Sequence, residues 1–164
     1  MDIQPRILMF TVSAWNSKIG ANTWASLLED YDRNKLANIC IRDEIPDSLI
    51  CSRYFTISEN KVLKSIYKPG IKTGREVTSG STFNETSNDL EEHNRRYSAM
   101  RKKRRYSMLM ARELVWKLGK WRTKELDAFL EDFKPDIILH SMEGYIHLNR
   151  IIKYAIQYTG AKAI

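Results

Sequence analysis

Two stretches of this 164-residue sequence hold side chains whose types and spacing could do chemistry. In PDIILHSMEGYIH an apolar run ends on His140, and Glu143 follows three residues later. An imidazole can act as a general base near neutral pH, and a carboxylate beside it can orient it or take the role itself. In VSAWNSKIGANTWASLLEDY another apolar run stops at Val12. A polar loop with Ser17, Gly20, Ala21 and Asn22 follows, and then Trp24, Leu27, Leu28 and Tyr31 recur at helical spacing. A helix entered from such a loop offers free backbone N–H groups and a positive dipole end to an anion. Gly20 would let the backbone come close to a bound group. Plainer readings stand beside these. Gly20 then only permits a tight turn, His140 bonds to backbone at a strand end, and Glu143 is a solvated loop acid. His147 reads as a surface residue at a helix N-terminus.

A third feature is electrostatic. The net charge is +7, but it is not spread evenly. Residues 95–124 hold twelve Lys or Arg and one acid, Glu113, while the remainder holds fifteen bases and nineteen acids. The density peaks in RRYSAMRKKRR, which contains Arg95, Arg96, Arg101, Lys102, Lys103, Arg104 and Arg105 and no acid. A localised field of this kind suits an anionic partner: lipid head groups, nucleic acid or a phosphorylated ligand. Tyr97, Met100, Tyr106, Met108 and Met110 lie nearby, as a cationic helix at an anionic bilayer would require. A solvated helix face is the plainer alternative. Nucleic acid is the weaker partner, because no RNP motif or stacking platform accompanies the cations.

The elements that must position these residues follow from the apolar pattern. Residues 6–12, 35–42 and 53–58 read as strands, and 59–67 as one or two helical turns. Asn22 is a candidate N-cap for a helix ending near Asp32. Residues 69–88, with three glycines and many Ser, Thr and Asn, read as a loop that opens an insertion over 69–105. Residues 89–133 read as helix, in one piece or broken at Gly119. Leu126, Phe129, Leu130 and Phe133 form its final stripe, and Pro135 ends it. Residues 136–140 are a strand. A helix with Leu148, Ile151, Ile152, Ala155 and Ile156 on one face follows, stopped by Gly160, and AKAI opens one more strand. Apolar strands alternating with amphipathic helices predict an α/β, Rossmann-like three-layer domain with a mostly parallel sheet.

Composition sets the remaining bounds. The length is that of one domain, and 43% hydrophobic residues suffice for a real core. There is no apolar run long enough to span a bilayer and no signal-peptide pattern, which points to the cytoplasm. Cys40 and Cys51 lack CxxC spacing and read as reduced thiols. Three scattered histidines do not suggest a zinc site. Neither GxGxxG nor the GxxxxGK[ST] spacing occurs, so a dinucleotide fingerprint and a P-loop are both missing. Because AKAI stops inside a buried strand, we expect a piece of a longer protein, a short natural edge strand being the alternative.

PRILMFTVSAWNSKIGANTWASLLEDY, followed much later by LDAFLEDFKPDIILHSMEGY, resembles the N-terminal domain of GT-B glycosyltransferases of the retaining family 4 type. The resemblance covers nearly the whole chain outside the insertion. It implies one half of a two-domain enzyme, with the acceptor bound here and the nucleotide-sugar donor bound mainly by a C-terminal domain that this sequence lacks. It implies retention, a glycan or lipid-linked acceptor, no metal or other cofactor for the chemistry, and no transfer by this domain alone. Ser17, Gly20, Ala21 and Asn22 would lie near the donor phosphates or the transferred sugar, and His140 near the sugar or the acceptor hydroxyl. The basic segment would sit peripherally on the inner face of the cytoplasmic membrane. The family's usual glycine pair is Gly20-Ala21 here, and Met142 stands where some relatives carry the histidine. The competing expectation is a Rossmann-like module that binds nucleic acid or another anionic ligand without transferase activity.

Overall fold

A computed structural model describes residues 4–15, 26–43, 46, 48–78, 106–140 and 144–164. Among the described residues, six strands form one sheet: β1 (Ile7–Thr11), β2 (Leu36–Cys40), β3 (Arg53–Ile57), β4 (Gly74–Thr78), β5 (Ile137–His140) and β6 (Lys162–Ala163). Among the described residues they are accompanied by the α-helices α1 (Glu59–Ser65), α2 (Tyr106–Leu118), α3 (Lys124–Phe133) and α4 (Ile146–Thr159). The strand order is β4-β3-β2-β1-β5-β6, and every pairing is parallel except that of β3 with β4. This is the expected α/β, Rossmann-like three-layer arrangement.

The apolar runs are continuous because the sheet is covered on both faces. Along β1, Leu8 and Phe10 turn to one face, where they join Ile39, Phe55 and Ile138 beneath Trp116, Phe129, Leu130, Leu148 and Ile151. Ile7 and Met9 turn to the other, where they meet Leu36, Tyr54 and Val77 beneath Trp15 and Leu28. Of the helix expected to end near Asp32, residues 22–25 lie outside the described residues; 26 and 27 are helical and 28–30 are turn, so the helix ends earlier than expected.

β4 corrects the sequence reading, which had residues 69–105 as loop and basic helical insertion. GREVT carries one inward apolar side chain, Val77, and its polar residues suit an edge strand. Arg53 is shared between Glu76 on β4 and Asp132 on α3, at 2.7 and 2.6 Å. Residues 79–105 lie outside the described residues.

Residues 106–133 form two helices rather than one, and Gly119 shows why. Its backbone presses against α1 so closely that a Cβ there would stand 2.4 Å from Val62 Cγ1. The chain then turns, Trp121 is buried, and the Thr123 hydroxyl caps α3 by accepting from the Leu126 amide at 3.3 Å. Gly160 ends α4 in the left-handed conformation, at φ 70°, as its glycine allows.

Candidate functional site at the carboxyl ends of the strands

The chain runs from β1 leftward through β2 and β3, then returns to place β5 on β1's other side. In an open α/β sheet, the crevice outside the strand ends at such a reversal is where ligands sit. Here it lies between Thr11 and His140. Phe10 and His140 are register partners across β1 and β5, so the two stretches singled out in the sequence leave from neighbouring strands at one rim.

The loop after β1 is held by buried polar contacts. Thr11 Oγ1 donates to the Ser13 carbonyl at 2.7 Å and accepts from Asn38 Nδ2 at 3.1 Å, Asn38 being fully buried in β2. Arg42, just past β2, donates from Nη1 to Ser13 Oγ at 2.8 Å. Val12, Ala14 and Trp15 are buried beside it. The four loop residues expected to bind, Ser17, Gly20, Ala21 and Asn22, lie outside the described residues, as does Glu143. His140 is described: it is half-buried, and its backbone N–H donates to the Ile164 carbonyl at 3.2 Å. The seven cations from Arg95 to Arg105 are outside the described residues as well.

Beside this crevice the structure assembles a second ionisable group that the sequence reading did not find. Glu59, at the start of α1, accepts from Arg112 Nε at 2.8 Å and from Trp116 Nε1 at 3.3 Å, and Arg112 Nη2 makes an ion-pair contact with it at 2.6 Å. One residue along α2, Glu113 Oε1 lies 2.6 Å from His147 Nδ1. A carboxylate only accepts, so the neutral imidazole carries its proton on Nδ1. The second oxygen of Glu113 and Nε2 of His147 are buried without a hydrogen-bond partner.

His147 is therefore not the surface residue expected; its side chain is only 1% exposed. Burial holds its pKa below the ordinary value, against the opposing pull of Glu113. An imidazole oriented by a carboxylate has the form of a general base. In this conformation, however, the pair is sealed under Trp116 and joins α2 to α4. The signal for its burial was present, since 147 precedes Ile151 by four residues and Ala155 by eight, on their helical face.

Asp43 completes the rim between β2 and β3. Its Oδ2 accepts from Ser58, the residue that also caps α1, and its Oδ1 is buried without a hydrogen-bond partner. Among the described residues no group of three or more His, Cys, Asp and Glu is arranged to hold a metal ion. Nor is any described helix long and apolar enough to cross a membrane. No family model, curated protein or solved structure matches the chain.

Proposed function

We propose that this chain is the acceptor-binding domain of a retaining glycosyltransferase that moves a sugar from a nucleotide-sugar to a glycan or lipid-linked acceptor. The observation that supports this reading is the pairing of Phe10 with His140, which brings the ends of β1 and β5 to one rim. On this reading the loop held by Asn38 and Arg42 faces the donor phosphates and the transferred sugar. His140 hydrogen-bonds the sugar or the acceptor hydroxyl, and Glu143 orients it. The donor nucleotide is held mainly by a second domain. The fixed start of this loop, at Thr11 and Ser13, favours such a role, since catalysis by positioning needs groups held close to their productive geometry.

The basic segment and α2 would rest on an anionic membrane surface. Supporting this, α2 exposes Leu109, Met110, Leu114 and Leu118, an apolar stripe directly after the cations.

The test uses the whole protein as its gene encodes it, offered UDP-, GDP- and ADP-sugars. We expect hydrolysis or transfer from one donor, with the anomeric configuration kept. His140→Ala should lower the rate at least about tenfold, the loss of roughly one hydrogen bond in the transition state. If no donor is consumed, the transferase reading fails. If a donor is consumed but His140→Ala matches the parent, His140 leaves the mechanism.

A further inference from the structure

Just past the end of α2, a pocket of about 320 Å³ opens between α4 and the segment leading to α3. Its lining is Lys117, Gly119, Lys120, Trp121, Arg122 and Arg150, four cations and no acid. The cations come from three separate places: the last turn of α2, the connecting segment and the second turn of α4. They are therefore not the basic cap of one helix.

What sets them apart is that all four converge on one pocket whose lining holds no carboxylate. Some cations elsewhere among the described residues are paired, namely Arg6 with Asp136, Arg53 with Glu76 and Asp132, Lys72 with Glu125, and Arg112 with Glu59, while single surface lysines such as Lys134 and Lys162 are not. No ion pair engages Lys117, Lys120, Arg122 or Arg150 among the described residues. Arg150 is the clearest case, because its Nη1 is buried and has no hydrogen-bond partner. A buried guanidinium nitrogen without an acceptor leaves its charge poorly compensated, and an anion in the pocket beside Arg150 would offset that charge. Arg122 is fixed by other means. Its guanidinium lies 4.9 Å from the Trp121 ring and 4.8 Å from the Tyr154 ring, so aromatic faces hold it while its edge stays available.

The backbone narrows the chemistry further. The Gly119 amide is committed to the Val115 carbonyl, that of Lys120 to Ser65 Oγ, and that of Trp121 to the Gly119 carbonyl. Recognition must come from the side chains. Two guanidinium forks and two ammonium groups suit a tetrahedral oxyanion of high charge better than a single carboxylate. The volume is at the lower end of small-molecule sites, larger than a bare anion needs, and Trp121 supplies an apolar wall for an organic substituent.

We propose that this pocket binds the phosphate group of an organic phosphate, either a soluble phosphomonoester or a phospholipid head group. The inference stands on the pocket and does not require the transferase reading.

The experiment measures binding calorimetrically with inorganic phosphate and with glycerol 3-phosphate. It also measures co-sedimentation with vesicles of phosphatidylcholine alone and with added phosphatidic acid. The variants are Arg150→Gln and Lys120→Gln, and the controls Lys134→Gln and Lys162→Gln remove equal charge away from the pocket. Circular dichroism checks the fold of each. We expect glycerol 3-phosphate to bind more tightly than inorganic phosphate. Each pocket variant should weaken binding at least about tenfold, corresponding to about 1.4 kcal/mol, and each control should leave it unchanged. Loss of vesicle binding in the pocket variants would identify the lipid as the source of the phosphate. Vesicle binding untouched by them, with the soluble phosphate lost, would identify a soluble ligand. Absence of binding both by the soluble phosphates and by vesicles with phosphatidic acid, or equal weakening by pocket and control variants, would overturn the site.

Discussion

The His147 imidazole lies nearly parallel to the Trp116 indole, with ring centroids 4.9 Å apart and planes 13° from each other. With Glu113 on Nδ1, this stack ties α4 to α2 through a ring that the fold keeps neutral.

That neutrality sets a pH dependence. The folded pKa of His147 lies below its ordinary 6.5, so the unfolded chain takes up the proton first as pH falls. The contribution to stability is complete above about 6.5 and is lost as pH falls through the folded value. Urea denaturation from neutral pH downward should show stability falling by at most about 1.4 kcal/mol per pH unit from this group. His147→Asn, which keeps a donor for Glu113 and removes the titration, should flatten that slope. An unchanged slope in the variant would assign it to other groups.

Gly119→Ala should destabilise the domain by about 1–3 kcal/mol, the usual range for overpacking. The new methyl would meet Val62 at 2.4 Å on its side chain and 2.6 Å on its carbonyl. Val62→Ala in the same chain should restore only part of the loss, because the backbone clash stays. A double-mutant cycle on chemical denaturation midpoints reads both effects.

Gly160→Ala tests the other glycine. A Cβ there meets nothing within 4 Å, so the cost is backbone strain at φ 70° alone. About 1 kcal/mol is expected, seen as a lower melting temperature with no change in the folded spectrum.

Cys51 should resist thiol reagents in the folded protein. Burial pushes its pKa up to about 12, and its Sγ lies 3.1 Å from the carbonyls of Leu36 and Arg53. Ellman's reagent at mildly alkaline pH should label it only at the rate of unfolding. The same shift makes stability fall as pH rises above about 9, where the unfolded thiol begins to ionise.

The sequence conveyed whatever was local. Leu126, Phe129, Leu130 and Phe133 are all buried on α3, and Leu148, Ile151, Ile152 and Ala155 on α4, because a helical face is written at fixed spacing. Gly160 announced its own stop. β4 was unreadable since an edge strand needs little apolar content, and its partner Arg53 lies in a different strand. The His147–Glu113 pair was unreadable for a related reason: its members are 34 residues apart, and no short spacing marks a contact made by packing. Of the site residues named in advance, His140 stands at the expected strand end. The others fall outside the described residues.

The central position of β1 has a consequence for how the chain is made. Its first neighbour, β2, follows closely in sequence, but its second, β5, comes from the far end, and Arg6 bonds to Asp136 across 130 residues. During synthesis, the edge of β1 that β5 will cover stays open until almost all of the domain has left the ribosome. Leu8 and Phe10 lack Ile138 for the same interval. Contacts of such separation slow folding and leave apolar strand edges available to other chains. A nascent chain halted before Ile137 should therefore bind chaperones that the completed domain does not.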